Sequence, residues 1–221
     1  MRDFAFYFGF GWEHIMSLDA LDHLLFLIAL AAVYTLTDWK AVLVLITAFT
    51  IGHTITLALS TLNLLTIPTD LVEFLIPCTI VFTALSNVFQ KNSSIHSRRL
   101  AYFMALFFGF IHGLGFANTL RFILAGDQRL GWALFGFNIG LEAGQILLVF
   151  LLLLITHILM RFLKVAQRAW ALFLSAAVFS LALQMALQRW PGAGRERRTG
   201  YERTDSVKTI WGFEKVWLHK L

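Results

Sequence analysis

Apolar positions gather into six runs, at residues 21–36, 41–62, 71–89, 100–124, 131–159 and 169–187, separated by short polar stretches. All but the first match or exceed the roughly 18 residues a helix needs to cross the hydrocarbon core, so the pattern predicts transmembrane helices. Ahead of them, residues 1–19 are aromatic but interrupted by Glu13, His14 and Asp19, which predicts an interfacial segment more than a span. Only Arg2 offers a positive start and no small-x-small site follows, so no cleavable leader is expected. Thr66 to Asp70 reads as a turn, with Thr69 or Asp70 capping the third helix and Pro77 kinking it. In the fourth run Gly109, Gly113 and Gly115 flank His112 and predict a broken segment. Beyond residue 190 the chain turns polar and basic. The expected organisation is an interfacial segment at 1–19, a helical bundle at 20–189 and a basic tail at 190–221.

Composition agrees with that pattern. The 221 residues are 58% hydrophobic and 14% charged, with mean hydropathy +0.73; soluble domains carry about a quarter charged residues. The expectation is an all-α integral membrane protein of about six transmembrane helices, with no room for a separate soluble enzyme and no nucleic-acid partner. Cys78, the single cysteine, forms no internal disulfide, so a metal would be bound through nitrogen and oxygen.

Orientation follows from the short loops. If the amino terminus lies on side A, the side-B loops carry Lys40, Lys91, Arg98, Arg99, Arg161, Lys164 and Arg168, against Arg121 and Arg129 on side A. Side B is then cytoplasmic, with both termini outside a bacterial-type inner membrane. The basic tail pulls the other way, but charge in long segments weighs less.

The polar positions inside the runs carry the chemistry. Asn138, Glu142 and Gln145 share one helical face, while Gly136, Gly140 and Gly144 form a stripe on another that invites close approach of a neighbouring helix. A carboxylate at that depth is costly by roughly 3 kcal/mol, so it is expected to face other helices or a wet cavity. At 1.5 Å per residue, His53, His112 and Glu142 lie roughly 13 to 18 Å from side A, and Asp22, His23 and Glu73 sit at the side-A ends of their helices. These residues predict one polar site opening toward side A, with His14 added from the interfacial segment. Thr50, Asn138 and Gln145 would orient the ligands. Imidazole and carboxylate suit nickel, cobalt or zinc. The plainer alternatives are a hydrogen-bonding knot at Glu142, an interfacial pair at Asp22 and His23, satisfied core histidines at His53 and His112, and a first-turn carboxylate at Glu73.

Several stretches fall in order on these runs: Trp12-Glu13-His14, Leu21-Asp22-His23, Gly52-His53-Thr54, Val72-Glu73, Gly109-Phe110-Ile111-His112-Gly113 and Phe137-Asn138-Ile139-Gly140-Leu141-Glu142-Ala143-Gly144-Gln145. Together they resemble the HupE/UreJ-like membrane protein family, in its second, divergent branch, over about residues 10 to 188. The founding branch is associated with nickel or cobalt supply and has an early His-Pro-x-x-Gly-x-Asp-His pattern. Asp22-His23 keeps the end of that pattern, but the His-Pro is missing and His14 precedes His23 by nine residues. The resemblance therefore implies a membrane transporter of a divalent transition metal. The alternative is a zinc-dependent intramembrane hydrolase in which Glu73 or Glu142 activates water. The expected partners are the lipid bilayer and a metal ion, with room for a homo-oligomer.

Overall fold

The computed structural model describes residues 2–17, 20–89, 95–124 and 130–191. The expected basic tail, Lys91 and Arg129 lie outside the described residues, as do the side chains of Arg98 and Arg121. Among the described residues seven α-helices follow one another: α1 (Arg2–Met16), α2 (Leu21–Ala31), α3 (Trp39–Thr61), α4 (Thr69–Phe89), α5 (Ile95–Leu124), α6 (Leu130–Phe162) and α7 (Gln167–Gln188). No strand occurs among the described residues. Five helices are long and apolar enough to cross a membrane, and α1 with α2 makes a sixth candidate span, bent by 71°. The chain is an all-α integral membrane bundle.

The first span differs from its expected form. α2 has 11 residues, about 16 Å of helix, roughly half the hydrocarbon core. The missing half is α1. It does more than lie at the interface, because it packs along α6 in the same direction: Phe4 meets Trp132 and Phe135, Phe8 meets Gly140, and Ile15 meets Gly144. A Cβ at Gly140 would stand 2.0 Å from the Phe8 carbonyl oxygen. The small-residue stripe on α6 is thus the seat of α1. Because α1 descends from side A, α2 begins inside the bundle, and Asp22 and His23 are deeper than a helix start at the surface would put them.

α5 departs from expectation in the opposite sense, being continuous through His112. Its glycines serve proximity: a Cβ at Gly109 would lie 2.1 Å from the Phe49 carbonyl oxygen and one at Gly113 2.3 Å from that of His53. Close helix packing satisfies the backbone that would otherwise tempt a break, and it brings the His53 and His112 turns together.

Two further devices fix the frame. Pro77 lies inside α4 and removes the N–H that would have bonded the Glu73 carbonyl; Arg189 reaches that carbonyl at 3.5 Å. Toward side B, Asn87 donates to the Ala29 carbonyl at 2.7 Å and to Ser175 Oγ at 3.2 Å, tying α4 to α2 and α7. Arg168 donates to the carbonyls of Asn87 and Val88, which the end of α4 leaves unpaired.

Candidate metal centre

Four histidines from four helices meet in the interior. The His23 ring lies 5.2 Å from that of His14, 5.7 Å from that of His53 and 5.0 Å from that of His112, between ring centres. His53 and His112 are fully buried and His23 nearly so. Their walls are aromatic. Phe26 and Phe49 each stand 5.2 Å from the His112 ring, and Phe116 lies 4.0 Å from His14 and stacks on Phe137. Phe116, packed on His14 and Phe137, helps to close the cage.

Five ring nitrogens inside this cage have no hydrogen-bond partner: Nε2 of His14, Nε2 of His23, both nitrogens of His53 and Nδ1 of His112. Buried polar atoms ordinarily find partners, so such a cluster points to an occupant. The neighbours also determine which nitrogens present lone pairs. The Thr79 hydroxyl donates its single proton to the Ile76 carbonyl at 2.7 Å, so at 3.0 Å from His112 Nε2 its oxygen accepts. His112 is therefore protonated at Nε2 and offers Nδ1. Likewise Asp22 Oδ1 stands 3.2 Å from His23 Nδ1 and, as a carboxylate, accepts its proton, leaving Nε2 as the donor atom. Asp22 Oδ2 in turn faces Arg189 Nη1 at 3.5 Å. Thr79 and Arg189 escape sequence reasoning, although a threonine two residues past an intrahelical proline is a discernible signal.

Do these residues fit a metal ion? Two imidazoles bound at about 2.0–2.1 Å to one tetrahedral ion have ring centres about 5 Å apart, and the three spacings from His23 to its neighbours lie close to that. Among the described residues, no three His, Cys, Asp or Glu side chains stand, as placed, so that they could hold a metal ion. The donor set and the unpartnered nitrogens suit a divalent transition metal, while the placement of the rings does not itself form a coordination sphere.

The remaining candidates part from the cage. Glu73 is exposed on α4. Glu142 lines a separate cavity between α3 and α6, where Thr47 Oγ1 donates to its Oε1 at 2.6 Å. Thr50 donates to Gln145 Oε1 at 2.9 Å. Asn138 stands between the two places, beside His53 and on the wall of the cavity. Its Nδ2 donates to the Leu134 carbonyl at 2.8 Å, and its side chain is a polar neighbour of the His53 ring.

Against known proteins, the model of the family described as HupE / UreJ protein matches residues 1–190. The chain belongs to the HupE/UreJ family. The match takes in all seven helices and therefore both the cage and the Glu142 cavity. For this family member, no curated protein and no solved structure matched.

Proposed function

We propose that this HupE/UreJ protein carries a divalent transition-metal ion, nickel or cobalt by the association of the family's founding branch, across a bacterial inner membrane. The observation that carries the reading is the set of five unpartnered ring nitrogens in the four-histidine cage. His53 and His112 lie about 12 and 18 Å from the side-A ends of α3 and α5, a depth that suits alternating access better than surface chemistry. The cage also lies beside the junction of a bent helix pair, and interrupted helices commonly line ion sites in carriers. Asp22 holds His23, Thr79 holds His112, and the phenyl walls exclude water so that only direct ligands stabilise the cation. The hydrolase alternative draws less support: neither Glu73 nor Glu142 makes a described contact with a cage histidine, so neither is poised to activate water there.

The test is metal content and uptake. Purified wild-type protein should retain nickel or cobalt, and His53→Ala and His112→Ala should each lose it by tenfold or more while staying folded. Equal metal in all three preparations would overturn the reading.

A further inference from the structure

From the cage toward side A the polar side chains become steadily more exposed. The rings of His53 and His112 are fully buried; the side chain of His23 is 5% exposed, that of Asp22 14% and that of Arg189 34%. The last three form a chain of contacts, His23 Nδ1 to Asp22 Oδ1 at 3.2 Å and Asp22 Oδ2 to Arg189 Nη1 at 3.5 Å. Arg189 is the C-cap residue of α7, at its side-A end, where the free carbonyls of a helix favour a cation. A guanidinium is always charged, so the outermost link of this chain is a fixed positive charge set in front of a cage of imidazoles. An entrance built only to attract cations would not carry one.

The attachment of that charge is of a kind that can let go. Both described contacts of the guanidinium, to Asp22 Oδ2 and to the Glu73 carbonyl, are 3.5 Å long, beyond the usual range of about 2.7–3.2 Å, and ion pairs this exposed stabilise little. The backbone beneath is held more firmly. The Arg189 N–H donates to the Met185 carbonyl at 3.0 Å, and the neighbouring Trp190 ring packs edge-on against Phe74 at 5.0 Å. Only the side chain need move for Asp22 to be uncovered.

We infer that Arg189 is a charge gate over the side-A entrance of the cage: its guanidinium covers the outer oxygen of Asp22 and yields that oxygen to an arriving divalent cation. A divalent ion attracts the carboxylate twice as strongly as the guanidinium does at equal distance. The imidazoles behind Asp22 then add affinity that an alkali cation, which prefers oxygen, would not find there. Monovalent ions meet a carboxylate that is already neutralised, so Arg189 filters by charge. The choice among ions rests on the carrier reading above; the covering of Asp22 by Arg189 does not. A clamp that merely tied α7 to α2 and α4 would predict the opposite effect of removing the charge, since loosening Asp22 would weaken the hold on His23.

The experiment uses the full chain in lipid nanodiscs. In calorimetric titration, Arg189→Gln should bind Ni²⁺ about tenfold more tightly than wild type, because the competitor for Asp22 is gone, while Arg189→Lys, which keeps the charge, should stay within about twofold. The gain should shrink in an Asp22→Asn background, where no carboxylate is left to compete for. A second readout needs no metal. In a Cys78→Ser background, a small impermeant thiol reagent should label the cysteine of His23→Cys several-fold faster once Arg189→Gln is added; His14→Cys serves in its place if His23→Cys does not fold. If wild type binds Ni²⁺, unchanged or weaker binding in Arg189→Gln would overturn the gate, and so would unchanged labelling. No Ni²⁺ binding in any variant, with labelling still faster in Arg189→Gln, would count against the carrier reading and leave the covering of Asp22 standing.

Discussion

The histidine cage and the Glu142 cavity lie one helix face apart on α3 and α6, yet they differ in nearly every property. The cage is closed, aromatic-walled and presents nitrogen; the cavity is half-open, flanked by the exposed side chains of Ile51, Ile55 and Phe135, and presents oxygen. His53 and Thr50, three residues apart on α3, contribute to opposite members of the pair. A single helix can thus border two environments when each face meets a different partner. Glycine contacts with α5 draw one face of α3 onto the cage, while α6 meets another face at Thr47 and Thr50. The difference teaches that depth in the membrane does not make residues members of one site; rotation about the helix axis does.

The most disruptive way to break the comparison is Gly109→Leu. The side chain would drive into the Phe49 backbone 2.1 Å from its first carbon, and overpacking of this kind costs about 3 kcal/mol. Thermal stability should fall and the nickel response should go, because α3 bears His53. Gly9→Leu, with nothing within 4 Å of a Cβ, should leave the midpoint within about 0.5 kcal/mol of wild type; a loss as large as that of Gly109→Leu would show that the midpoint does not report the α3/α5 interface.

Next in size is Asp22→Asn, which removes the carboxylate that orients His23 and faces Arg189. Metal affinity should drop about 10- to 100-fold, as when a ligand's orienting partner is lost. Calorimetric titration with Ni²⁺ measures it, and unchanged affinity would remove Asp22 from the cage. Thr79→Val is expected to act more mildly, by about tenfold, since His112 stays in place but can adopt the wrong tautomer. Recovery in Thr79→Ser would tie the loss to the hydroxyl, which a change in packing alone would not do.

The smallest effect is expected on orientation markers. Thr66→Cys and Leu163→Cys, in a Cys78→Ser background, should fold and load metal like wild type. An impermeant thiol reagent on intact cells should label the cysteine at 66 and spare the one at 163 if side B is cytoplasmic. The reverse pattern would turn the cage entrance to face the other compartment without altering its chemistry.

Much of this architecture was legible in the residue pattern. The five long spans begin and end close to the limits of their apolar runs, because in lipid the length and continuity of an apolar run decide whether it crosses. The polar residues worth attention were legible for the same reason, as imidazoles and carboxylates are costly there. The stripes on α5 and α6 announced close approach but not the partner. Gly140 could have received any helix, and Gly113 looked like a place where α5 would break. The early run 21–36 looked like a short span because its outer half, α1, is too interrupted to read as one.

What the sequence by itself determined was therefore the limits of the five long helices, the depth of the chemically costly residues within them and the stripes along which helices could close. The tertiary structure alone decided that α1 fills the α6 stripe, that α3 and α5 meet backbone to backbone, and that Glu142 parts company with His53 and His112. The physical reason is that periodicity records which residues share a face of one helix, whereas a site is made where faces of different helices meet. That meeting depends on which small-residue stripe accepts which neighbour, a property of pairs that no single run of residues contains.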